Sequence, residues 1–121
     1  MTNTCYCDSG QLFQNCCGPL LRGKDFARSP QALMRSRYSA FCSGNLDYLL
    51  QTHLTDKAPA DNAADIQATF ANTSWLKLEV RQARTSGDTG VVEFVAYYRD
   101  QHGPGQLHER SNFRKQDNRW F

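Results

Sequence analysis

Apolar positions fall into two regimes along the chain. Between residues 30 and 50 they recur three and four apart; from residue 74 onward they alternate with polar ones. In "SPQALMRSRYSAFCSGN", Leu33, Met34, Tyr38, Phe41 and Cys42 form one stripe at helical spacing. Ser29 suits an N-cap, Pro30 the first helical position and Gly44 the residue past the end, so the pattern predicts a helix over 30–43. Asn45 caps a second, shorter helix carrying Leu46, Leu49 and Leu50. The Ala-rich stretch around Pro59 reads as a loop and then a third short helix at about 61–71.

The alternating part predicts strands. In "SWLKLEVRQARTS", Leu76, Leu78 and Val80 share a face opposite Lys77, Glu79 and Arg81. "VVEFVAYYRDQ" is rich in β-branched and aromatic residues, with turns read at "SGDTG" before it and "HGPGQ" after it. "LHERSNFRKQDNRWF" alternates more weakly and carries a turn at Asp117–Asn118. Three strands on short turns make an antiparallel meander, and helices followed by strands indicate an α+β fold.

A curved sheet with helices on one face leaves a concavity between them. On the third strand Glu109 and Ser111 share one face, His108 and Arg110 the other. Arg37 follows Leu33 by four residues, so its guanidinium is expected beside the apolar stripe, with Glu109 as its ion partner. Arg37, Glu109 and Ser111 are therefore the candidate cone-lining residues; the competing reading places the third-strand charges in cross-strand pairs on a solvated face. Trp75, Tyr97 and Phe113 are candidates to fill the cone, and Tyr38, Phe41, Phe94 and Phe113 to form core. Cys42 reads as a small buried hydrophobe, His53 as the cap of a helix end and His102 as a turn residue.

Composition narrows the classes. The chain has 121 residues, 40% of them hydrophobic, which supports one domain with a core plus a small appendage. Fourteen basic against 12 acidic residues, a net charge of +2, gives no reason to expect nucleic acid or a membrane surface as partner. The N-terminus lacks the basic and apolar regions of a secretion signal, so the expected location is the cytoplasm, where thiols stay reduced.

Against that background "CYCDSGQLFQNCCG" stands out, with four of the five cysteines between residues 5 and 17. The spacing C-x-C-x8-C-C lets four thiolates surround one tetrahedral ion. "DSG" supplies the turn, Gly10 and Asp8 tolerating positive φ, and Ser9 is placed to cap a short helical turn that returns the chain to Cys16. A redox pair is disfavoured, since no C-x-x-C occurs and adjacent Cys16 and Cys17 make a strained disulfide. Redox sensing by the cluster stays open as an alternative to a structural metal.

Cys5, Cys7, Ser9, Gly10, Phe13, Cys16 and Cys17 together resemble the SEC-C motif, C-x-C-G-S-G-x-x-[YF]-x-x-C-[CH], named for the zinc-binding tail of the SecA translocase. "ALMRSRYSAF", "LDYLLQTH", "VVEFVAYYRD" and "HERSNF" are similar to the YchJ-like family of SEC-C proteins. The resemblance implies Zn(2+) on Cys5, Cys7, Cys16 and Cys17 in a knuckle over 1–23, and a nuclear-transport-factor-2-like, or cystatin-like, body over 24–121. Asp8 stands where the motif usually has glycine, and "QLFQN" lacks the lysines common in that loop.

The resulting expectation is a non-enzymatic zinc-binding accessory protein. Its knuckle would contact a protein partner through Gln11, Leu12, Gln14 and Asn15, and a homodimer is a further expectation. The alternative is a small-molecule binder or acid–base enzyme working in the cone.

Overall fold

The structure, a computed structural model, describes residues 4–52 and 63–121. A 3₁₀ turn (Phe13–Asn15) leads into the short helix α1 (Gly18–Leu21), then α2 (Pro30–Ser43), α3 (Leu46–Gln51) and α4 (Ala63–Asn72). The strands follow: β1 (Ser74–Ser86), β2 (Thr89–Asp100), β3 (Gly103–Gln116) and β4 (Arg119–Trp120). They form one antiparallel sheet in the order β1-β2-β3-β4. The expected α+β meander is present, with a short fourth strand added where the chain turns at Asp117–Asn118, both at positive φ.

Local signals explain α2 and α3. Ser29 Oγ accepts the Ala32 N–H at 3.0 Å, Pro30 opens α2, and Gly44 ends it at φ 73°. Asn45 Oδ1 accepts the Tyr48 N–H at 3.0 Å to start α3. His53 and the first two residues of the helix expected at 61–71 lie outside the described residues.

Two expectations for the strands are corrected. Leu76 does not share a face with Leu78. A register shift between Trp75 and Lys77 leaves Leu76 as an extra residue, 58% exposed, while Leu78 is buried. The second turn is not "HGPGQ" but Gln101–His102, where His102 N–H donates to Asp100 Oδ1 at 2.9 Å. Pro104 and Gly105 lie inside β3. At Pro104, β3 has a neighbour on one side only, so the missing N–H breaks no ladder. Any Cβ at Gly105 would meet the Tyr98 ring at 2.8 Å, so only glycine leaves room for that ring across the strands.

α2 lies on the inner face of the sheet. Leu33, Met34 and Tyr38 pack with Leu78, Phe94, Phe113 and Trp120 in the main core. Cys5, Cys7 and Cys17 belong to that same core, so the cysteine turn is built into the body rather than appended to it. A second, smaller core joins Ala40, Tyr48, Leu49 and Ile66, with Phe41 and Phe70 against it.

Candidate functional site

The cysteine turn starts from its backbone. Asp8 and Gly10 both adopt positive φ, 61° and 83°. Cys5 N–H donates to the Gln11 carbonyl at 2.8 Å, closing the loop, and the 3₁₀ turn carries the chain back to Cys16. Ser9 does not cap that turn: its Oγ accepts the Gln11 N–H at 3.2 Å and lies 3.2 Å from Cys16 Sγ. Leu12 occupies the cap position without a side-chain bond.

All four sulfur atoms lie within 4.8 Å of one another. Cys7 and Cys16 Sγ are 3.6 Å apart, Cys16 and Cys17 Sγ 4.0 Å. A tetrahedral Zn–S4 centre with bonds of about 2.3 Å has sulfur–sulfur edges of roughly 3.8 Å. The cluster therefore fits one metal ion, and all five cysteines are free of disulfides. Three of the four cysteines are buried and Cys16 is half-buried.

The electrostatics point the same way. Hydrogen bonds from the Cys17 and Cys7 thiols hold the Cys5 thiol far below its ordinary pKa, and desolvation only partly opposes them. Cys17 is pushed up by giving its hydrogen bond to Cys5, and Cys16 by burial. A divalent ion would offset the cost that burial and hydrogen bonding place on the Cys16 and Cys17 thiolates, because coordination requires the deprotonated sulfur.

The groups around the cluster come from α2 and β1. Arg35 Nη1 donates to the Cys7 carbonyl at 2.6 Å, Ser39 Oγ lies 3.6 Å from Cys5 Sγ, and Asp8 Oδ2 accepts the Leu78 N–H at 2.7 Å. Sequence reasoning missed all three roles. The legible signal was the four-residue spacing of Arg35 and Ser39, which puts two polar groups on one face of α2.

A separate cavity of about 540 Å³ opens between α2 and the inner sheet face. It uses a neighbouring face of α2, with Met34, Arg37, Tyr38 and Phe41. Arg37, Glu109 and Ser111 all line it. Among the described residues the expected Arg37–Glu109 ion pair is absent. Arg37 Nη1 instead donates to the Leu49 carbonyl at 3.0 Å and Thr52 Oγ1 at 2.6 Å, because the end of α3 reaches it first. Trp75 and Phe113 line the cavity without closing it, and Tyr97 lies on the outer face beside Lys77. His108 also faces outward, 2.7 Å from Glu93 Oε2. Cys42 is half-buried against the main core, and burial pushes its thiol up to about 12.

Comparison with known proteins matches the SEC-C motif at residues 1–19 and the family described as "YchJ, middle NTF2-like domain" at residues 29–121. The chain belongs to the YchJ family. A UPF0225 protein of Bordetella pertussis is 41% identical over 123 residues, spanning 97% of this chain and 87% of its own length. The solution structure of a SEC-C motif protein from Rhodopseudomonas palustris superposes with a TM-score of 0.85 at 37% identity, covering 100% of this chain and 94% of the other. The crystal structure of a SEC-C motif protein from Psychrobacter arcticus gives 0.81 at 27% identity, covering 100% and 79%. The body of this YchJ family member is an NTF2-like domain, and its cysteine cluster is compatible with metal binding. No helix among the described residues is long and apolar enough to cross a membrane.

Proposed function

We propose that this YchJ family member is a zinc-binding accessory protein whose metal is structural. The observation that carries the reading is the closed set of four sulfurs within 4.8 Å of one another. Four protein ligands leave no position for a substrate, so the ion's contribution is a cross-link rather than Lewis-acid chemistry. That cross-link closes the turn of residues 5–17 on itself, and Arg35 and Asp8 hold the closed turn against α2 and β1.

The fixed turn presents side chains outward. Tyr6 and Leu12 are exposed at 50% and 37%, and Gln11, Gln14 and Asn15 of the same turn are exposed as well. Tyr6 stands edge-on to Phe13 at 5.7 Å, which makes the patch rigid. This supports recognition of a protein partner by the turn, through apolar side chains together with amide groups of the same turn.

Metal analysis of the reduced protein tests the reading. One zinc per chain is expected for the wild type and none for a Cys16→Ser, Cys17→Ser variant. A natively folded, metal-free wild type that does not take up zinc overturns it. Loss of a specific partner in pull-downs with the same variant assigns recognition to the turn; an unchanged partner set removes that assignment.

A further inference from the structure

None of the four clustered cysteines lines the cavity, and its lining is chemically uneven. Along β2, Ala96 lies between Phe94 and Tyr98 on the inner face, and this small side chain leaves room above it. Trp75 and Tyr98 wall that room with rings 5.6 Å apart in an edge-to-face arrangement. Glu109 stands opposite Phe94 and Ser111 opposite Val92, one step along the same face. A body of apolar rings thus adjoins the Glu109 carboxylate and the Ser111 hydroxyl, with Arg37, Asp100 and threonine hydroxyls elsewhere on the lining.

The polar groups differ in what they already hold. Arg37 Nη1 is engaged by the end of α3. Among the described residues, neither Glu109 nor Ser111 makes a side-chain hydrogen bond or ion pair, and Glu109 is exposed where the cavity meets solvent. The uncommitted groups are therefore a negatively charged hydrogen-bond acceptor, Glu109, the Ser111 hydroxyl and the buried Trp75 indole N–H, beside aromatic faces. That combination attracts an organic cation, through a charge-assisted hydrogen bond at one end and ring faces along its body. The volume of about 540 Å³ lies within the range of small-molecule sites.

We propose that the cavity is a binding site for an aryl- or alkyl-amine. Its ammonium meets Glu109 and Ser111, and its apolar body lies over Ala96 between Phe94, Trp75 and Tyr98. An anion of the same shape is repelled by Glu109, and a neutral isostere loses the charge.

The test is an NMR titration of the full zinc-loaded chain with three compounds of one shape: tryptamine, tryptophol and indole-3-propionate. Tryptamine is expected to give saturable shifts at the Ala96, Leu107 and Ser111 amides and at the Trp75 indole N–H. Glu109→Gln is expected to weaken it about tenfold, the usual loss for a charge-assisted bond reduced to a neutral one. Glu93→Gln, on the outer face, leaves it unchanged, and an unaltered spectrum away from the site shows that both variants fold. Equal binding of all three compounds, tighter binding of the anion, or no saturable shift at millimolar tryptamine each overturn the proposal.

Discussion

Asp8 and Leu78 lie 70 residues apart in sequence, yet the Asp8 carboxylate accepts the Leu78 backbone N–H at 2.7 Å. β1 is an edge strand, so this N–H has no strand partner on that side. The cysteine turn thereby covers part of an open sheet edge, and the buried Leu78 side chain packs in the same core as Cys5, Cys7 and Cys17. The SEC-C pattern that this chain resembles has glycine at the Asp8 position; here an acceptor replaces conformational freedom.

Two substitutions at Asp8 separate its contributions. A hydrogen bond to a charged group contributes about 1.5–3 kcal/mol, and a non-glycine residue without a local polar contact pays roughly 1–2 kcal/mol at positive φ. Asp8→Ala loses the bond and keeps the strained φ of 61°. Asp8→Gly loses the bond but relieves the backbone. Denaturant unfolding of the zinc-loaded protein is expected to rank them wild type, Asp8→Gly, Asp8→Ala, with the last about 2–4 kcal/mol below the first. Both variants matching the wild type would remove any role for this contact.

Much of this architecture is legible in the sequence because its signals are local. Ser29, Pro30 and Gly44 fix the ends of α2, and the cysteine spacing fixes a four-sulfur cluster. What stays hidden is pairwise and long-range. The bulge that expels Leu76 depends on how β1 meets β2, so alternation along β1 alone cannot show it. The pairing of Arg37 with Leu49 and Thr52 rather than Glu109 depends on where α3 ends. Asp8 looks like a tolerated turn residue until the sheet edge is placed beside it.

Gly90 is required by packing, not by its dihedral angles. A Cβ there would lie 2.1 Å from Pro30 Cγ and 2.8 Å from Pro30 Cβ, both in a rigid ring at the start of α2. Gly90→Ala forces the helix and β2 apart in a close-packed core, an overpacking cost of about 1–3 kcal/mol or more. Thermal unfolding is expected to show a clear drop. Pro30→Ala in the Gly90→Ala background should recover part of it, whereas additive losses in the double variant would contradict a steric cause.

Alkali is expected to weaken the fold. Burial pushes the Cys42 thiol from 9.0 up to about 12 and raises the Tyr48 and Tyr38 hydroxyls above their ordinary 10.0. In each case the folded state holds its proton where the unfolded chain has released it. The unfolded state then binds fewer protons, so stability is intact below pH 9 and falls as pH rises through the window from 9 to 12. Cys42→Ala should flatten the lower part of that fall in pH-dependent denaturation curves. A slope identical to wild type between pH 9 and 10.5 would show that Cys42 ionises alike in both states.

On the zinc-binding reading proposed above, removing the metal tests how far the cysteine turn supports the body. Cys5, Cys7 and Cys17 are at most 4% exposed and share the core with Leu33, Tyr38 and Leu78, so their loosening reaches α2 and β1 directly. Zinc at a thousandfold above its dissociation constant stabilises the folded chain by about 4 kcal/mol. Chelation under reducing conditions is therefore expected to lower the melting temperature and to speed amide exchange at Leu78, whose acceptor Asp8 moves with the turn. Val95 lies at the centre of β2, paired on both sides with Glu79 and His108, and its amide should stay protected. Unchanged exchange at Leu78 in zinc-free protein would mean that the turn holds its place on the sheet without the ion, and that Arg35 and Asp8 suffice.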